Sequence, residues 1–328
     1  MNVVDIHEHV IPPVLVEMMR QGTAPDGIRI DESGAEPWVV HPQGYKYPLS
    51  PLFHDVDARL AAMDSRGIEK AVLSIAPPFL LYDINPEEAV VASRIINDAL
   101  ADMVQRAPDR FAAVATLPMQ EPSAAKQELQ RTINILGFRG AQLGSHINGV
   151  PLDDDRFGSV LSTAEHLNVP LILHPYYVGS TPGLDEYYLT NLEGNPWQTA
   201  LAASRLILSG TLDRLPNLDL VLVHGGGHLV YQIGRLDHGH RVRIEANAPE
   251  KAPSDYLRRF HYDTLTHWEQ ATAWLIDVVG ADRVAYGTDL PFDMGGGTLE
   301  EQLGNLDAYE KDVVAQVAAA TATRLFDL

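Results

Sequence analysis

Short apolar runs rich in β-branched residues alternate with longer segments of helical period along the chain, and no other feature restricts its fold as strongly. The runs fall near Val3–His9, Ala71–Ala76, Ala112–Leu117, Gly140–Gly144 and Pro170–His174, then near Leu218–His224, Phe260–Leu265 and Arg283–Thr288. Between them lie helical stretches such as Pro86–Gln105, Ser123–Leu136, Arg156–Leu167 and Ala271–Val279. Asp55 is placed to cap a helix running to Arg66, with Gly67 as its stop. Strand followed by helix, repeated about eight times, predicts an α/β fold of the (β/α)8 TIM-barrel type rather than a shorter doubly wound sheet. The 328 residues are enough for two average domains. Barrels of this length form a single one, so residues 1–328 are read as one domain.

One region breaks the rhythm. From about residue 12 to 54 the chain is dense in Gly, Pro and aromatics: Gly27, Pro37, Trp38, Pro42, Gly44, Tyr45, Tyr47 and Pro48. The segment is too long for an ordinary loop between strand and helix. It is read as a small insertion after strand 1 that contains a short hairpin and forms part of a lid over the barrel mouth. A decorative insertion is the alternative.

The charge balance bounds the partners. Lys and Arg number 24 against 44 Asp and Glu, for a formal charge of -20. Such a field repels nucleic acid and anionic membranes, and its plainest meaning is a solvated acidic surface. No apolar run approaches the ~20 residues of a membrane helix. The opening residues MNVVDIHEHV lack the basic and apolar regions of a secretory signal, so a cytoplasmic location is expected. With no cysteine present, a thiolate metal site and a Cys nucleophile are both excluded. Any metal must be held by His, Asp, Glu or water.

The polar residues at the strand ends carry the chemistry. In Asp5-Ile6-His7-Glu8-His9 the two histidines are two apart, so both imidazoles project from one face of a strand. Glu8 points the other way, toward a backbone or Arg partner. Leu171–His174 and Leu220–His224 are apolar strands ending in His, the second followed by Gly225-Gly226-Gly227, and Val284–Asp289 ends in a carboxylate. These are strands 1, 5, 6 and 8, and the C-terminal strand ends form the face where barrel active sites lie. Three His and one Asp suit Zn²⁺ with a site left open, and Mn²⁺ or Fe²⁺ take the same donors. His224 is better cast as an acid/base than as a fifth ligand, the glycines letting backbone pass close to a ligand. No lysine occurs between Lys126 and Lys251, which excludes a carbamylated lysine bridge on strand 4. One divalent metal and no organic cofactor is the economical reading.

The HxH of strand 1, His174-Pro175, His224-Gly225-Gly226-Gly227 and Gly287-Thr288-Asp289-Leu290-Pro291-Phe292 together resemble the amidohydrolase superfamily. More narrowly they are similar to its branch containing aminocarboxymuconate semialdehyde decarboxylase and related non-oxidative aromatic acid decarboxylases. The likeness extends to Thr116–Gln120, Gly137–Gly140 and Gly234–Gly239. It implies metal ligation by His7, His9, His174 and Asp289, with His224 moving the proton. It implies Arg235 and Arg243 as contacts to a substrate carboxylate, the second reaching a neighbouring subunit's site and so a homodimer. A salt bridge within the helix is the alternative for each. The branch's lid arginine falls on Tyr47 and its tryptophan after strand 5 falls near Asn191, two departures at substrate-facing positions. Tyr176, Tyr177 and His267 are further candidates to line the pocket, whereas His228, His238 and His240 read as helix-face residues.

These residues support two reactions on a small-molecule carboxylate or a related substrate. In the first, an unsaturated or aromatic acid loses CO₂ without oxidation. In the second, a lactone, amide or related bond is hydrolysed on the same donor set. A non-catalytic metal-binding scaffold is the third reading.

Overall fold

The strand Val4–Val10 is buried at every position, as expected where helices or side chains cover both faces of a parallel strand. In the computed structural model, which describes residues 2–44, 46–176 and 181–328, it pairs in parallel with Lys70–Ile75, which pairs with Phe111–Ala113. The third barrel strand continues as Ala115–Thr116 beside Ala141–Gly144, and Leu171–His174, Leu220–Leu222, Phe260–Asp263 and Val284–Ala285 follow, all parallel. The ring closes where the eighth strand meets the first. Ile6 N donates to Tyr286 O (3.0 Å), Asp289 N to His7 O (2.6 Å) and His9 N to Leu290 O (2.7 Å). A buried side-chain clasp reinforces this seam, with Thr288 Oγ1 and N donating to the two oxygens of Asp5 at 2.6 and 3.2 Å. The expected (β/α)8 barrel is therefore present.

The ladders of strands 6 and 8 are shorter than the apolar runs suggested. Strand 6 ends before His224 (φ 57°) and strand 8 before Asp289 (φ 60°), two left-handed residues that turn the chain out of the sheet. In strand 1 the register is irregular between Asp5 and Glu8. This bulge puts Ile6 into an apolar cluster with Val72, Val114, Ile172 and Val221 from the other strands, while His7 next to it still turns toward the other histidines. Helix Thr321–Phe326 adds Ala322, Leu325 and Phe326 to that cluster.

Local signals account for the helix ends. Asp55 caps Val56–Arg66 by accepting from Asp57 N and Ala58 N, and Gly67 stops it at φ 70°. Asn85 caps Pro86–Arg106, with Pro86 in the first turn, where its missing N–H costs nothing. The Gly/Pro/aromatic segment holds more order than one hairpin. It forms helix Pro13–Gln21 and a three-stranded antiparallel sheet of Arg29–Asp31, Trp38–Val40 and Lys46–Pro48.

Candidate metal centre

Four side chains converge at the C-terminal ends of strands 1, 5 and 8. His7, His9, His174 and Asp289 each offer one ligand atom, all within 4.8 Å of one another. The imidazole rings stand edge to face, with centroids 5.0 Å apart for His7–His9, 5.0 Å for His9–His174 and 5.3 Å for His7–His174. All four residues are buried.

Each histidine has its Nδ1 committed elsewhere. His7 Nδ1 meets Asp263 Oδ2 at 2.7 Å, and His174 Nδ1 meets Pro175 O at 2.8 Å. His9 Nδ1 faces Ile75 O at 3.2 Å and Ser74 Oγ at 2.9 Å, and that hydroxyl spends its own proton on Glu8 O. A carbonyl or carboxylate partner fixes the proton on Nδ1 and leaves a lone pair on Nε2. All three Nε2 atoms and Asp289 Oδ1 are buried without a hydrogen-bond partner. Of these, His9 Nε2 lies 3.0 Å from Asp289 Oδ1, two lone-pair atoms facing each other. A shared proton or a cation relieves that repulsion for one pair, and four such buried donors meeting together fit a divalent metal.

The electrostatics of His9, His174 and Asp289 agree. His7 is pushed down by burial but raised on balance by Asp289 and Asp263, the direction expected of an imidazole facing two carboxylates. Burial drives the His174 imidazole well below its ordinary value, and His9 and His7 push it the same way. Burial pushes the Asp289 carboxyl up, but His7, His224 and His9 together hold it well below the usual carboxylate range. Neutral imidazole and ionised carboxylate are the forms that bind metal. Behind the ligands, burial and then Glu8 push the Asp5 carboxyl well up. Glu8 itself turns away from the cluster to the buried guanidinium of Arg59, which also bonds His9 O and Leu52 O.

His224 completes the group. Its ring lies 5.4 Å from both His7 and His174, and its Nε2 is 3.8 Å from Asp289 Oδ2. Its side chain is 15% exposed, the most open of the five, and it fronts the mouth. Packing by itself requires the glycines after it. A Cβ on Gly225 would lie 2.7 Å from Thr266 Cγ2, one on Gly226 2.7 Å from the Tyr262 ring and one on Gly227 2.0 Å from Pro196 O.

The other expected residues are dispersed. Tyr47 packs on Phe53 and Phe292 (5.6 and 5.1 Å between centroids), and Phe292 packs on His9 at 5.5 Å, so the insertion reaches the metal ligands through aromatic rings. The Tyr47 hydroxyl is buried without a partner, and burial pushes it up. Tyr176 is held by packing on Tyr82 and by donating to Asp83 Oδ1 (2.9 Å), a carboxylate that also takes Gln43 of the insertion. Asn191 is half-buried in the turn Thr190–Gly194, and His267 is exposed with φ 56°. Tyr177 lies outside the described residues. Arg235 stands exposed on helix Leu229–Val242, lining a surface cavity of about 460 Å³ with Trp197, Arg205 and His228. Arg243 at that helix's end pairs with Glu245 at 2.8 Å. Neither arginine meets the metal cluster within this chain.

Sequence reasoning missed Asp263. The run Phe260-His261-Tyr262-Asp263 ends strand 7 in a carboxylate just as strand 8 ends in Asp289, and that parallel was the available signal.

The family model for amidohydrolases matches residues 4–328. The chain belongs to that family. It is 35% identical over 243 residues to 2-amino-3-carboxymuconate-6-semialdehyde decarboxylase of Dictyostelium discoideum, covering 74% of this chain and 68% of that one. To gamma-resorcylate decarboxylase of Rhizobium radiobacter it is 36% identical over 259 residues, 72% and 77% of the two chains. Among solved structures, the dihydroxybenzoic acid decarboxylase of Polaromonas sp. JS666, with bound manganese and the inhibitor 2-nitroresorcinol, superimposes with a TM-score of 0.81. The identity there is 26%, over 100% of this chain and 98% of that one. Within the amidohydrolase family this chain is an enzyme of the carboxy-lyase kind, a non-oxidative decarboxylase.

Proposed function

We propose that this amidohydrolase removes CO₂ from an aromatic carboxylic acid at a single divalent metal held by His7, His9, His174 and Asp289. The observation that carries the reading is the meeting of four buried, unpartnered donor atoms beside His224. An aromatic acid is favoured over an open-chain diacid by the wall of the mouth. Phe292 meets the ligand His9 edge to face and Tyr47 meets Phe292 the same way, with Phe53 buried behind them, and a neutral phenol stands where the branch has a lid arginine.

When bound, the metal supplies positive charge that holds and polarises an anionic oxygen of the acid. The chain's own residues do the rest. Asp289 keeps its carboxylate ionised and turned toward His224 Nε2. His224, the most open of the group, holds a proton on Nε2 and passes it to the ring carbon bearing the carboxylate. The bond to that carboxylate then breaks, its electron pair restores the aromatic ring and CO₂ leaves. Phe292 and Tyr47 exclude water from the face of the ring.

Three finer readings accompany this one. Zn²⁺ suits the donor set, and Mn²⁺, which the Polaromonas enzyme holds, takes the same donors. The segment 12–54 acts as a lid on a single barrel domain, through Tyr47 and Phe292. A homodimer covers the exposed Trp197, Leu201, Tyr231 and Trp274 on the helices after strands 5, 6 and 7, and brings Arg235 or Arg243 to a substrate carboxylate. No helix among the described residues is long and apolar enough to cross a membrane.

The test is mass spectrometry after incubating metal-loaded enzyme with 2,6-dihydroxybenzoate, 5-carboxyvanillate and aryl lactones, in D₂O and separately in ¹⁸O water. Decarboxylation places one deuterium on the carbon that carried CO₂ and no ¹⁸O in the organic product. Incorporation of ¹⁸O with no CO₂ released makes the enzyme a hydrolase and ends the proposal.

A further inference from the structure

The carboxylate of Asp263 touches two parts of the site at once. It is fully buried at the end of strand 7. Its Oδ2 takes the proton of His7 Nδ1 at 2.7 Å. Its Oδ1 accepts from Gly225 N at 2.7 Å and from Leu265 N at 3.2 Å. The Gly225 N–H belongs to the peptide that begins at the carbonyl carbon of His224, a residue held at φ 57°. One side chain therefore sets the tautomer of a metal ligand on strand 1 and the peptide plane that aims His224 on strand 6.

We propose that Asp263 is a positioning residue that makes metal binding and the placement of His224 a single event. Its two oxygens serve different elements and cannot substitute for each other. With His7 drawn forward onto a cation, its Nδ1–H holds Asp263 Oδ2, and the rigid carboxylate then presents Oδ1 to Gly225. If His7 is released, the carboxylate is free to turn, and the left-handed His224–Gly225 peptide loses the acceptor that keeps it in place. Packing cannot replace that bond. Thr266 Cγ2 and Leu275 Cδ2 flank the position a Cβ on Gly225 would take, and neither carbon can orient its N–H.

An amide has one acceptor oxygen where the carboxylate has two, so Asp263→Asn tests the idea without changing shape. If the amide oxygen stays with His7, an NH₂ group confronts Gly225 N–H and His224 moves. If it turns round, the NH₂ confronts His7 Nδ1, which can accept only by shifting its proton to Nε2 and ceasing to be a ligand.

The inference rests on the metal-centre and His224 assignments above, and its first readout needs no substrate. Mn²⁺ and Zn²⁺ are titrated into apo protein against a fluorescent chelator, for wild type, D263N and Tyr262→Phe. The last removes a buried strand-7 hydrogen bond to Leu257 O that lies away from the donors. D263N is expected to bind both metals about 10- to 100-fold more weakly, with Y262F unchanged. At saturating metal, kcat of D263N for the best acid stays low while KM holds, because His224 remains misplaced. A crystal structure of metal-loaded D263N shows the Gly225 N–H turned away. Wild-type metal affinity in D263N overturns the proposal, and so does weakened affinity with kcat fully restored at saturating metal. If the wild type releases no CO₂ from any acid, the affinities and the D263N structure still decide the role of Asp263, and only the reaction assignment falls.

Discussion

Arg59 offers the sharpest test of what holds the metal strand in place. Its guanidinium is 3% exposed and pairs with Glu8, whose side chain is 1% exposed. It also donates to His9 O and to Leu52 O, the latter where the insertion rejoins the barrel. Arg59→Met keeps the length of the side chain and removes every donor. Leaving one member of a buried ion pair alone costs about 3–5 kcal/mol. Two carbonyls that lose their donors add about 1 kcal/mol each. The sum is about 5–7 kcal/mol. For a chain of this size each kcal/mol moves Tm by about 2 °C, so a fall of about 10 °C or more is expected. The double variant Glu8→Gln/Arg59→Met removes the stranded charge but not the two unsatisfied carbonyls, and should recover about 3 kcal/mol of the loss. Thermal melts of metal-loaded wild type, single and double variants measure both steps. A loss under about 1 kcal/mol for R59M, or a double variant no more stable than R59M, refutes the reasoning.

Three further outcomes are expected. Chelation, or His174→Ala, should empty the site and abolish turnover; metal analysis should find one ion per wild-type chain, and adding Mn²⁺ or Zn²⁺ should restore only the stripped wild type. His261 is buried with its Nε2 accepting from Arg283 (3.3 Å), and burial and then Arg283 push it down to about 3. The folded chain therefore refuses a proton that the unfolded chain takes up below about 6.5. Stability should fall as pH drops from about 6.5 toward 3, by up to about 1.4 kcal/mol per pH unit from this group, and His261→Asn should remove that component in urea titrations at pH 7 and pH 5. Gly227→Ala drives a Cβ into Pro196 O at a φ of 61°, whereas Gly22→Ala meets nothing at φ 68°. The first should cost about 3 kcal/mol or more and the second about 1, read by thermal melts.

The barrel was legible because eight covered strands leave eight apolar runs. The cluster of side chains at the mouth was legible because His7 and His9 alternate on the first run and His174, His224 and Asp289 end later ones, and their position on the chain already states their position on the barrel. Ladder lengths were not, because the left-handed turns at His224 and Asp289 are backbone choices that no hydrophobic period announces. The insertion declared itself by Gly, Pro and aromatics, yet strands of three residues are too short to show alternation, so a three-stranded sheet read as one hairpin. Asp263 escaped because its role depends on which donors strands 1 and 6 bring beside it. Arg235 and Arg243 were read from likeness alone, and within one chain both stand on an outer helix.

The seam between strands 8 and 1 bears on how the protein comes into being. Asp5 and Thr288, which clasp across it, are 283 positions apart, and the ligands His7 and Asp289 flank the same join. The donor cluster is thus assembled in stages, with His7 and His9 on strand 1, His174 on strand 5 and Asp289 after strand 8. Until strand 8 is made, the first two histidines have at most His174 beside them and lack the carboxylate of Asp289. Tight loading waits until the eighth strand has been made and docked, so a firmly held ion reports that the ring has closed. An interrupted translation product keeps the HxH sequence and gains none of its chemistry.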